Sequence, residues 1–211
     1  SSYDQTIKVW DVTTGKMISE RDVSTPKDIY IKSISYNKDG TQLLVCNVDA
    51  KLSLYNAQTL NPIQIIANDT IRFSTASYSK DGKKVVTGGA SGQFYILDVT
   101  TWKVEKYFKT VDRNEQFASM DILKFNNDDK RILAISGIVG LGKIYDIESS
   151  KVVHKLHGTS YSVASAKFSP VKGLFVAAYD DMNAKLWSMN NGRLIGSLRG
   201  HTSLIQCVSF S

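Results

Sequence analysis

The sequence predicts an all-β chain assembled from one repeated unit of four antiparallel strands. Three observations carry this. Short strands ending on a large side chain recur at a near-constant interval. A second set of strands, each ending on an aromatic ring, recurs in phase with the first. No stretch sustains the 3.6-residue apolar period of an amphipathic helix, so essentially no helix is expected.

Within a unit the strands are named a, b, c and d in chain order. Strand a ends at Tyr36, Tyr78, Phe125, Phe168 and Phe210, with spacings of 42, 47, 43 and 42 residues. A tight turn follows the first four, as Asn37-Lys38-Asp39-Gly40, Ser79-Lys80-Asp81-Gly82, Asn126-Asn127-Asp128-Asp129 and Ser169-Pro170-Val171-Lys172. Asp-Gly between alternating apolar runs is a hairpin signal. Strand b is the apolar run after each turn: Leu43 to Cys46, Val85 to Thr87, Ile132 to Ile135 and Leu174 to Ala178. Strand c carries the anchors Trp10, Tyr55, Leu97, Tyr145 and Trp187, spaced 45, 42, 48 and 42. A polar residue follows each anchor, and strand d comes after that turn, as in Val152-Val153-His154-Lys155-Leu156.

A repeated four-stranded unit of about 44 residues is the sequence signature of a β-propeller. The predicted fold class is therefore all-β, a β-propeller of four-stranded antiparallel blades. It is expected to be incomplete, with about five blades of an expected seven. Residues 1–23 form a partial blade, 24–67, 68–109, 110–157 and 158–200 full blades, and 201–211 the first strand of the next. Seven such units need roughly 300 residues, so the 211 residues are expected to be part of a longer chain. Its terminal strand edges would be covered by further sequence or by a partner.

Trp10-Asp11 with its four counterparts, and the Gly-His pair Gly200-His201 ahead of strand a, resemble the WD-repeat family. The resemblance covers the whole chain. It implies a buried network within each blade, joining a His before strand a, a Ser or Thr of strand b, the strand-c Trp and an Asp six residues before it. The Asp is present as Asp4, Asp49 and Asp181, but Ser91 and Val139 replace it in the other two units. The His position reads Lys27, Asp69, Gln116, Thr159 and His201. Only His201 fits, and the rest of its blade lies beyond Ser211; strands a and b of the blade holding Asp4 and Trp10 would precede Ser1. No blade can hold the full network. Asp4, Asp49 and Asp181 are read as local caps of the b–c turns, and Trp10, Trp187 and His201 as structural residues.

Composition narrows the function classes. Charge is modestly basic at +6. The lysines are scattered and the six arginines are never adjacent, unlike a nucleic-acid stripe. Cys46 and Cys207 lie in apolar runs and read as buried free thiols, which suits a reducing compartment. The expected localisation is intracellular, cytoplasmic or nuclear. No signal peptide is visible at the N-terminus and no apolar run approaches a membrane span. The string Gly137-Ile138-Val139-Gly140-Leu141-Gly142-Lys143 matches a phosphate-loop spacing, but Ile144 replaces the required Ser or Thr and a strand follows. It reads as a long b–c turn whose glycines supply positive φ. No metal-ligand spacing and no nucleophile elbow appear, so no catalytic, cofactor or metal residue is assigned. His154 alternates along strand d as a surface residue.

The resemblance further implies that the d–a and b–c loops ring one mouth of a central channel. On this basis Tyr3, Tyr30, Arg72, Ile138 and Leu204 are candidate partner-binding residues, and Leu141 extends the apolar loop beside Ile138. The expected function is a non-catalytic scaffold mediating protein–protein interactions within a multi-subunit assembly. The alternative is an RNA-associated subunit of a ribonucleoprotein or ribosome-assembly complex. Expected partners are other proteins of a larger complex, with RNA second. No membrane, small-molecule substrate or cofactor is expected.

Overall fold

The computed structural model describes residues 4–23, 31–47, 51–66, 73–88, 92–110, 120–136, 142–156, 162–170 and 173–210. All of its regular structure is β-strand, and no helix occurs among the described residues. The first sheet has two strands, β1 (Thr6–Trp10) and β2 (Met17–Asp22). Four four-stranded sheets follow. They are β3 (Ile31–Tyr36), β4 (Gln42–Asn47), β5 (Leu52–Asn56) and β6 (Pro62–Ile66); then β7 (Thr75–Tyr78), β8 (Lys84–Gly88), β9 (Gln93–Asp98) and β10 (Val104–Lys109). Next come β11 (Ile122–Phe125), β12 (Arg131–Ile135), β13 (Gly142–Asp146) and β14 (Val152–Leu156); last are β15 (Val163–Phe168), β16 (Leu174–Tyr179), β17 (Ala184–Ser188) and β18 (Leu194–Leu198). In every four-stranded sheet spatial order follows chain order, the arrangement of a propeller blade.

The two sequence markers share one row of each sheet. Tyr36 pairs with Leu43, which pairs with Tyr55. Phe125, Ile132 and Tyr145 repeat this, as do Phe168, Phe175 and Trp187. Strand period fixes the face of each residue, so this row keeps a large side chain on one face in every repeat. Just before the anchor the register slips by one residue, between Val9 and Trp10, Leu54 and Tyr55, Ile144 and Tyr145, and Leu186 and Trp187. The bulge adds local twist where strands c and d meet.

The chain divides into two compact units, residues 1–90 with 94–107, and residues 91–93 with 108–211. In the first, Leu44, Cys46, Leu52 and Leu54 of one sheet pack with Ala76, Val85 and Leu97 of the next. Ile7 and Val23 pack likewise on Leu43, Val45, Tyr55 and Leu60. In the second, Ile122, Leu133, Ile135, Ile144 and Leu156 pack on Val163, Ala166, Phe175, Ala177, Tyr179 and Trp187. Residues 201–210 form no ladder, but Ile205, Val208 and Phe210 pack on Val176, Ala178, Ala184 and Leu186 of the last sheet.

This corrects one expectation. Cys46 is buried, but Cys207 is exposed. Only one side of the final segment meets the sheet, and Cys207 lies on the other. Gly142 also differs from its expected role. Its φ lies outside the left-handed region; a Cβ there would instead run into the Leu156 side chain. Glycine is needed at this point for close packing between β13 and β14.

Candidate interaction surface

The polar residue after each strand-c anchor holds the c–d turn. Asp11 Oδ1 accepts the backbone N–H groups of Thr13 and Thr14, each at 2.8 Å. Asn56 Oδ1 takes Gln58 and Thr59, and Asp98 Oδ1 takes Thr100 and Thr101. Asp146 Oδ1 accepts from Ser149, while Ser188 Oγ accepts from Asn190. These donors hold the Asp11 and Asp98 carboxyls below the usual carboxylate range. Four residues beyond the capping side chain the backbone turns left-handed, at Gly15, Leu60, Trp102, Ser150 and Gly192.

The turns also join one sheet to the next. Ser19 Oγ donates to the Gln58 carbonyl at 2.8 Å. At the equivalent place in the second unit, His154 Nε2 lies 2.7 Å from the Asn190 carbonyl oxygen, so Nε2 carries the proton and donates. Arg131 Nη1 donates to Met189 O and Asn127 Nδ2 to Ser169 O, both at 2.7 Å. His154 is therefore a half-buried link between sheets and not a plain surface residue, because its strand faces the c–d turn of the following sheet.

The structural residues named from sequence lie as follows. Asp4 Oδ1 accepts from both the backbone N–H and the hydroxyl of Thr6. Asp181 accepts from Asn183 N–H at 3.1 Å and pairs with Lys185 Nζ at 2.6 Å. Although burial alone would raise its pKa, those partners hold the Asp181 carboxyl below the usual range. Trp187 is buried against Phe175 with nearly parallel rings, and its Nε1 has no hydrogen-bond partner among the described residues. Trp10 is 54% exposed whereas its counterpart Tyr145 is 2% exposed, because among the described residues the Trp10 sheet has two strands. His201 is exposed. Asp49 lies outside the described residues.

Of the candidate partner-binding residues, Tyr3, Tyr30, Arg72, Ile138 and Leu141 lie outside the described residues. Leu204 is described and exposed. Within the phosphate-loop-like string, Lys143 begins inside strand β13 and its Nζ donates to the Thr110 carbonyl at 2.8 Å. Among the described residues no group of His, Cys, Asp or Glu side chains could hold a metal ion. None of the described structure is a helix long and apolar enough to cross a membrane.

One surface was not singled out from sequence. Strand d forms one edge of every sheet and exposes large apolar side chains in all five. They are Met17 and Ile18, Ile63 and Ile65, Val104 and Tyr107, Val152 and Val153, and Leu194, Ile195 and Leu198. The signal was present as apolar residues within each strand d. Their exposure depends on that strand being an edge, which the strand pattern does not state.

Four sheets of one strand order and a two-stranded sheet, all five with the same capped turn and four with the same bulge, define a repeat protein of propeller blades. The match to known proteins is consistent. The family model described as "WD domain, G-beta repeat" matches residues 150–188. The chain is 31% identical to the Arabidopsis thaliana "DENN domain and WD repeat-containing protein SCD1" over 62% of its length and 10% of that relative. It is 28% identical to the Schistosoma mansoni "WD repeat-containing protein SL1-17" over 77% of its length and 52% of the relative. It is 24% identical to the human "U3 small nucleolar RNA-associated protein 18 homolog" over 86% of its length and 33% of the relative. The chain spans between a tenth and about half of the lengths of these relatives. The chain is thus similar to WD-repeat proteins.

Proposed function

We propose that this chain is a non-catalytic WD-repeat scaffold that binds other proteins within a multi-subunit assembly. The observation that carries the reading is the repeated strand-d edge. It combines unpaired backbone groups with exposed large apolar side chains, the two features that strand addition and apolar docking require. Loop residues Tyr3, Tyr30, Arg72, Ile138, Leu141 and Leu204 are proposed as a second contact region. The free thiol of Cys46 favours an intracellular setting.

The test compares the wild-type chain with an Ile195→Asp, Leu198→Asp variant in cross-linked affinity purification. The wild type is expected to retain a reproducible set of proteins that the variant loses. Equal recovery by both would remove the edge-strand reading.

An RNA-associated assembly is the second reading. It is favoured by the +6 charge and by the printed name of the human relative. Here RNA mobility should shift at low salt, and affinity should fall steeply as salt rises. No shift at low salt excludes direct RNA binding.

A further inference from the structure

Arg193 and Arg199 bracket the strand-d edge β18, and Leu194-Ile195-Gly196-Ser197-Leu198 fills the interval between them. β18 pairs with β17 and forms the edge of its sheet. Leu194 lies opposite Trp187 and Leu198 opposite Ala184, so the two leucines stand on opposite faces. Leu194, Ile195 and Leu198 are exposed, as are both arginines. A strand added here would meet apolar side chains on both faces and a guanidinium at each end.

Charge sets this edge apart from the other four. Glu20 and Asp22 lie within β2, Glu105 within β10, and Asp146 and Glu148 just ahead of β14. β6 carries no charged residue. In the turn before β18 the capping residue is Ser188, which is neutral. From Met182 to Ser211 the sequence holds no Asp or Glu. The carboxylate nearest before it in the chain, Asp181, pairs with Lys185 Nζ at 2.6 Å. Among the described residues neither Arg193 nor Arg199 has a carboxylate within ion-pair distance.

A guanidinium takes a carboxylate through two parallel N–H···O bonds. An apolar strand with an arginine at each end is therefore complementary to an apolar segment with an acidic residue at each end. Six residue intervals at the strand rise set the two charges about 20 Å apart. A nucleic-acid backbone would lay charged phosphates at much shorter intervals across the exposed leucines, which favours a protein segment.

We propose that the β18 edge takes an extended protein segment with an apolar centre and carboxylates at both ends, held by Arg193 and Arg199. This selectivity rests on the strand-d edge reading above and specifies which segment β18 accepts.

The test titrates into the chain a peptide of roughly seven residues, with glutamate at both ends and valine and threonine between, following the amide resonances of β18. A second peptide carries glutamine at both ends. Saturable shifts centred on β18 are expected, with the glutamate peptide binding about tenfold tighter than the glutamine peptide. The double variant Arg193→Gln, Arg199→Gln changes two exposed positions outside the core. It should remove that difference and leave the affinity of the glutamine peptide unchanged. Added salt should narrow the difference as well. Equal affinity of the wild type for both peptides would overturn the charge selectivity and leave the edge reading intact. If neither peptide shifts β18, the site falls together with the edge reading. A single-stranded RNA that shifts the same amides and displaces the glutamate peptide would assign the arginines to nucleic acid and overturn the site.

Discussion

Left-handed backbone is where single residues carry most leverage. In the a–b turns, Gly40, Gly82 and Asp129 each donate their N–H to the carbonyl three residues back, and each has φ between 57° and 78°. Gly40 faces open space, whereas a Cβ on Gly82 would lie 2.8 Å from Lys38 Cβ. Gly40→Ala should therefore cost about 1 kcal/mol and Gly82→Ala about 2 kcal/mol or more, as read by urea unfolding. Ser150 presents the opposite case. It is exposed, has φ of 57°, and stands where Gly15 and Gly192 serve other turns. Ser150→Gly should stabilise the chain by about 0.5–1 kcal/mol, seen as a rise in melting temperature. Leu60 and Trp102 occupy the same strained position, but Leu60 is fully buried, so the matching glycine substitution there should lose more packing than it gains.

At the level of the turn, the capping carboxylates make stability depend on pH. Asp11 and Asp98 are held below their ordinary value by backbone donors. Their contribution is thus fully present above the ordinary carboxylate value near 4 and is lost as pH falls through the lowered one. Asn56 performs the same capping with an amide oxygen that does not titrate. The pair Asp11→Asn, Asp98→Asn should consequently keep neutral-pH stability near wild type and flatten the loss below pH 4. Melting temperature followed from pH 7 to pH 2 checks this; an unchanged acid slope would place the sensitivity elsewhere. These turns were legible in sequence as a polar residue after each anchor. Which atom caps which N–H was not, because Asp, Asn and Ser fill one geometric role with different side chains.

Packing between sheets decides which similar residues matter. Leu156 and Leu198 end equivalent d strands, yet Leu156 is 3% exposed and Leu198 59%. Leu156 is buried against the following sheet, and nothing covers Leu198 among the described residues. Leu156→Ala should cost about 2–5 kcal/mol, while Leu198→Ala should stay within about 0.5 kcal/mol. Parallel urea melts of the two variants read the difference directly. Similar costs would mean that Leu198 is covered in solution. Trp10 and Tyr145 show the same contrast at strand c: one anchor of the repeat is exposed in a sheet of two strands among the described residues, the other is sealed by a full sheet.

The period of the sequence determined the all-β class, the four-strand unit and the shared row of aromatic ends and anchors. It could do so because strand alternation and turn chemistry are local: each follows from a few consecutive residues. The WD-repeat resemblance was legible for the same reason, through five degenerate motifs held in phase. Tertiary structure alone decided the rest. It made His154 a link between sheets, left Cys207 exposed and gave Gly142 a packing role. The His154 link depends on which residue of a neighbouring sheet arrives opposite, and the Gly142 role on which side chain of the adjacent strand does; no local pattern encodes either contact.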